Sequence, residues 1–227
     1  FNSFMLALDD AVGDEFRGLR IDVKMPPALR SHFVSESLTL SNNTSQYFQS
    51  NAIFIESVES NPDYSAKKFF DGDSSDWTPI LNKWDATRSV AEDVIIEVFL
   101  DEQRSGEKEC ELMLLHGYAG AGKTVTIKRL GWELVNEHKG LAIYIERPEN
   151  LNSAAIAELV ELTKKRLYVF IDDVSTGLSN FKQCVKSLGT TSKMVTFVGG
   201  IRTSDWNTLK LRFSFLETRE YELGDLS

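Results

Sequence analysis

Eight residues restrict this chain more than any others: Gly117, Tyr118, Ala119, Gly120, Ala121, Gly122, Lys123 and Thr124. An apolar run of strand length (112–116) leads into them, and helical spacing (123–137, closed by Gly140) follows. A G-x-x-x-x-G-K-[ST] pattern between a strand and a helix forms a phosphate-binding loop. Its glycines let backbone N–H groups turn inward, and the helix N-terminus adds positive potential. The expected nucleotide contacts are the six loop residues Gly117 to Gly122, then Lys123, Thr124 and Val125, with Arg88 from upstream. Lys123 is expected to reach the β- and γ-phosphates, and the Thr124 hydroxyl to bind Mg²⁺.

The pattern from Cys110 onward predicts an α/β fold, a parallel sheet flanked by helices. Four runs read as parallel strands (112–116, 141–146, 167–171, 194–198) and alternate with helical stretches at 123–137, 153–164 and 178–188, the last closed by Gly189. Another amphipathic helix is expected at 87–103, with a capping box of Ser89 and Glu92, or with Asp85 or Thr87 as its cap. Residues 1–76 read differently. A helix-like start, strands at 19–23 and 52–58, the break Pro26-Pro27 and many Ser and Asn residues suggest the tail of a second α/β domain plus a connector. The turn-forming run 71–76 sets the boundary, which leaves 77–227 as the nucleotide-binding domain.

A second chemical motif lies about fifty residues past the loop. The apolar run 167–171 ends in Asp172 and Asp173, placing Asp172 to hold Mg²⁺ and Asp173 to orient or deprotonate the attacking water. The alternative is that the two acids cap the next helix. A third run, 195–203, carries Arg202 out of a strand, where it is placed to sense the γ-phosphate, or else lies on the surface. Trp77 and Trp84 are either packing anchors or a flap against the base. His32, His116 and His138 show no metal spacing, and Cys110 and Cys184 form no zinc or disulfide framework.

The net charge of −9 and pI near 5.0 weigh against direct nucleic-acid binding. No apolar run nears the roughly 20 residues of a membrane span, so a cytoplasmic location is expected. The chain opens on Phe1 and ends in an amphipathic stretch (221–227) that reads as the start of another element, which predicts a piece of a longer protein.

With GYAGAGKT at 117–124, LYVFIDD at 167–173, GGIRTSDW at 199–206 and REYELGDLS at 219–227, the stretch 77–227 resembles the nucleotide-binding domain of STAND ATPases, the signal-transduction branch of P-loop NTPases related to AAA+ proteins. KFFDGDSSDWTPILNKWDATR at 68–88 is similar to bacterial antiphage (Avs-type) proteins that join a sirtuin-like NAD-cleaving domain to a STAND ATPase. This resemblance implies ATP or ADP with Mg²⁺ as ligands, slow hydrolysis and homo-oligomerisation on activation by a phage-derived trigger. It also implies NAD as substrate of an effector lying mostly outside this chain. No sirtuin glycine loop or catalytic histidine is visible, so no NADase residue is assigned. The second acid is Asp173 where related motors have Glu, which fits slow turnover. Two other readings compete: a motor or helicase-like ATPase on nucleic acid, which the acidity opposes, and a small-molecule phosphotransferase, for which no arginine-rich lid is visible.

Overall fold

The computed structural model describes residues 32–33, 39–100, 110–191 and 194–224, without the side chains of 190 and 191. The helix-like start, the expected strand at 19–23, the Pro26-Pro27 break, residues 101–103 of the expected helix and the last three residues lie outside these. In chain order the elements are α1 (Asn42–Asn51), β1 (Ile53–Phe54), α2 (Ala66–Phe70), α3 (Thr78–Leu81), α4 (Ser89–Val94, continued by a π turn at Ile95–Phe99), β2 (Cys110–Gly117), α5 (Lys123–Asn136), β3 (Leu141–Ile145), α6 (Ser153–Thr163), β4 (Leu167–Ile171), α7 (Leu178–Thr191), β5 (Val195–Arg202), α8 (Thr203–Leu209) and β6 (Glu217–Glu222).

The strands form one sheet in the order β1-β3-β4-β5-β2-β6. Every pairing is parallel except β1 against β3. The four expected parallel strands are present, and β6 adds a fifth. Its sequence, ETREYE, has no apolar run, because an edge strand with no fully buried position needs none. The β1 region departs further from expectation. In place of a strand over 52–58, two residues pair with β3 and a 3₁₀ turn (Ile55–Ser57) then leaves the sheet. That turn drops the buried Ile55 onto α5, where Gly131 makes room: a Cβ there would lie 2.6 Å from Ile55 Cδ1.

Both sheet faces are buried, as parallel strands require. Leu112, Leu114, Ile143, Val169, Ile171 and Phe197 face α6, α7 and α8, with Phe48 of α1 in the same core. Met113, Leu115, Tyr144, Phe170 and Val198 face α5, α4 and Trp77. Thus α1, β1 and the following turn, all before residue 71, pack on the same sheet as the phosphate loop.

Four helix-end expectations are corrected. Arg88 is the N-cap of α4 with no side-chain cap bond, so Ser89 and Glu92 make no capping box. Asp85 caps nothing and instead takes both prongs of the Arg129 guanidinium. Gly189 does not stop α7, which runs two residues further. At the end of α5 the left-handed position is taken by Lys139 (φ +56°) and not by Gly140, whose N–H still donates to Leu134 O at 2.9 Å.

Candidate nucleotide-binding site

Two loop glycines hold backbone shapes that other residues adopt only at a cost. Gly120 has φ +79° and Gly122, the N-cap of α5, has φ +87°. Nothing lies within 4 Å of a Cβ placed on Gly120, so conformation rather than space demands glycine there. At Gly117 the reason is space, because a Cβ would sit 3.0 Å from the Leu223 carbonyl oxygen. Lys123 Nζ donates to the carbonyls of Gly117 (3.0 Å) and Tyr118 (2.7 Å), folding back over the loop. Thr124 and Val125 follow in the first turn of α5, both half-buried, while the Tyr118 side chain is exposed. Arg88 reaches the loop from behind, donating to Ala121 O at 2.8 Å and to Gly224 O at 2.9 Å.

Strand register gathers the other sequence-predicted residues at the same sheet edge. Arg202 pairs with Gly117 across β5 and β2, which sets it beside the first loop residue. Ile171 pairs with Gly199, so Asp172 lies level with Gly200. The two strand glycines exist for this approach. A Cβ on Gly200 would lie 2.2 Å from the Asp172 carbonyl oxygen, and one on Gly199 would lie 2.3 Å from Val174 Cγ1. Val174 N–H then donates to Gly200 O at 3.0 Å, fixing the turn.

Asp172 and Asp173 are both half-buried. Asp173 Oδ1 accepts from the Ser175 N–H (2.8 Å) and hydroxyl (2.6 Å), so one of its oxygens orders the turn that leads to α7. The local field also ties these groups together. Burial, then the Arg202 guanidinium, pulls the Lys123 ammonium below the usual lysine range, and Asp172, Asp173 and Asp205 pull it back up.

Trp77 is a packing anchor and not a flap over a base. Trp77 is 7% exposed and packs edge-on against Tyr144 at 5.4 Å, inside the core. Two neighbouring α5 residues that sequence reasoning passed over hold the preceding segment in place. Lys128, only 3% exposed, donates to the carbonyls of Ser74 (2.7 Å), Ser75 (2.7 Å) and Asp76 (3.3 Å). It also lies over the rings of Trp77 and Tyr144. Arg129 binds Asp85 and the Ile80 carbonyl. The one available signal was position: 128 falls between the core residues Ile127 and Leu130.

A cavity of about 520 Å³ lined by Cys110, Lys182, Val185, Phe215 and Glu217 lies at the opposite edge, where β2 and β6 begin, and is not this site. Among the described residues no three His, Cys, Asp or Glu side chains cluster as an all-protein metal site. No helix of the described residues is long and apolar enough to cross a membrane.

Among solved structures, this chain is similar to C. elegans PCH-2 at 20% identity, covering 61% of this chain and 41% of that one with a TM-score of 0.39. It is similar to the S. cerevisiae Hsp104-ADP complex at 12% identity, covering 80% and 31% with a TM-score of 0.49. A structure of katanin self-assembly matches at 15% identity, covering 83% and 61% with a TM-score of 0.45. This chain therefore spans less than two thirds of each. No curated protein matches it. The family profile for novel STAND NTPase 5 matches residues 67–213, from α2 through the loop, the paired acids and Arg202. A nucleoside-triphosphate loop on a mostly parallel sheet, within a profile match over more than half of the chain, makes this protein a member of the novel STAND NTPase 5 family.

Proposed function

We propose that this chain is the ATP-dependent switch of a STAND protein: it binds ATP with Mg²⁺, hydrolyses it slowly, and reports the nucleotide state through oligomerisation. The observation that carries this reading is the convergence of the Gly120–Gly122 loop, Lys123, the paired acids and Arg202 on one sheet edge. Those residues fit the group. Positive-φ glycines give a concave run of N–H donors for phosphate oxygens. Thr124 and Asp172 supply hard oxygen ligands, too few for a protein cage, so Mg²⁺ would depend on phosphate oxygens as it usually does. Bound there, Mg²⁺ would neutralise phosphate charge. Lys123 exchanges the carbonyls of Gly117 and Tyr118 for phosphate, Asp173 orients water, and Arg202 meets charge developing on the γ-phosphate.

In this reading 77–227 is the nucleotide-binding unit. The chain before it belongs to the effector side, with α1 and β1 docked on the sheet. The linked effector would cleave NAD in response to a phage-derived trigger, supported here only by the resemblance of the 68–88 segment. A motor or helicase-like ATPase is the second reading, and the −9 charge weighs against it.

Calorimetric titration with ATP and Mg²⁺ should show binding by the wild type and none by Lys123→Ala. Equal affinity in the two proteins would remove the switch reading. Stimulation of hydrolysis by DNA or RNA would favour the second one. NAD⁺ loss in phage-challenged cells carrying the full-length parent, absent with Lys123→Ala, tests the effector link; unchanged NAD⁺ discards that link alone.

A further inference from the structure

We infer that Arg88 is a positioning residue of the phosphate loop: it orients the Gly122 N–H by holding the Ala121 carbonyl, and joins the loop to the segment leaving β6. The inference rests on the nucleotide-binding reading above.

The two terminal guanidinium nitrogens divide between two carbonyls, Nη2 to Ala121 O and Nη1 to Gly224 O. A trans peptide is planar, with its C=O and N–H pointing in opposite directions. Fixing the Ala121 carbonyl against Arg88 therefore turns the Gly122 N–H to the other side of the loop. The guanidinium also lies close against Gly122 itself, 3.4 Å from where its Cβ would stand. This is a charge-assisted bond from a rigid fork, the stronger class of hydrogen bond.

The second prong has its own consequence. Leu223, just before Gly224, donates its N–H to His116 O at 2.7 Å, and its carbonyl closes against Gly117. Both ends of the loop, Gly117 and Ala121, thus bear on the exit segment 223–224. Phosphate that locks the Gly122 N–H inward steadies the Ala121 carbonyl on Arg88, and with it the hold on Gly224. By linkage, a displaced exit segment weakens phosphate binding by the same factor.

The test uses ATP and Mg²⁺ with the wild type, Arg88→Gln and Arg88→Lys, titrated at low and moderate salt. Loss of one charge-assisted hydrogen bond should weaken ATP binding by about tenfold or more in Arg88→Gln. Arg88→Lys should lose a similar factor, since one ammonium does not reproduce a fork spanning two carbonyls. Added salt should narrow the Arg88→Gln deficit only in part, because the variant loses a hydrogen bond as well as a charge within a Debye length of the phosphates. Wild-type affinity in Arg88→Gln overturns the inference. So does recovery in Arg88→Lys together with an Arg88→Gln deficit that added salt removes, the pattern of an arginine that touches phosphate directly. A measurement on the wild type needs no variant: amide exchange at Leu223 should slow on adding ATP, and an unchanged rate overturns the coupling. If the wild type binds no ATP at all, the nucleotide-binding reading falls and takes this one with it; intact wild-type binding with any of the other failures removes only the role of Arg88.

Discussion

Gly200→Ala is the sharpest probe of how the paired acids are held. The added Cβ would lie 2.2 Å from the Asp172 carbonyl oxygen and 2.8 Å from Ile127 Cδ1, both inside a buried strand. Ile127 is a side chain that can turn, but the carbonyl belongs to the backbone at the end of β4. Relief to an ordinary contact needs about 1 Å of movement of β4 away from β5, with the cost of overpacking a core, about 1–3 kcal/mol. For a chain of this size that lowers the melting temperature by roughly 2–12 °C. Because the moving group is Asp172 itself, Mg²⁺-dependent hydrolysis should fall more than nucleotide binding does. The control is the same substitution at Gly189, exposed within α7 and with nothing within 4 Å of its Cβ. There alanine should stabilise by about 0.5–1 kcal/mol. Melting curves and single-turnover hydrolysis of both variants decide the matter. Equal melting temperatures for Gly200→Ala and wild type, with unchanged hydrolysis, would refute the close-approach argument.

Two further outcomes follow from the geometry. Asp173→Asn keeps an acceptor for Ser175, so the melting temperature and ATP affinity should persist while turnover drops by about 10²–10⁴-fold; an equal loss of binding would mean the residue serves the turn alone. Burial pushes the Cys184 thiol and the Tyr47 phenol up to about 12, from ordinary values of 9.0 and 10.0. The folded state therefore keeps protons that the unfolded chain releases. Stability is full below about pH 9 and declines as pH rises towards 12; Cys184 should also resist thiol reagents at pH 8 until the protein is denatured. Rapid native labelling of Cys184, or stability that is flat to pH 11, would contradict this.

The inner strands β3 and β4 were legible because doubly buried parallel strands must be apolar throughout, as LAIYI and LYVFI are. The β6 edge strand was not, since ETREYE satisfies its hydrogen bonds through β2 while fully burying none of its side chains. The expected strand at 52–58 failed for a different reason. Of its apolar residues only Ile55 is fully buried, and it serves the α5 surface through a 3₁₀ turn and not the sheet. The cap expected from Asp85 was lost to a competitor far off in sequence, the Arg129 guanidinium, which local pattern reading does not see.

What the sequence determined by itself is the chemistry that local spacing dictates. A glycine loop between strand and helix, and two acids at the end of an apolar run, are fixed by backbone conformation and the period of the strands. Only the tertiary structure decided how those pieces meet. Strand order puts β5 between the loop strand and the acid strand, so that register brings Arg202 to Gly117 and Gly200 to Asp172. The same holds for Lys128 and Arg88. Along the chain Lys128 suggests no role and Arg88 reads as a nucleotide contact, yet each becomes a clamp on backbone carbonyls because folding brings those carbonyls, from 74–76 and from 121 and 224, within reach.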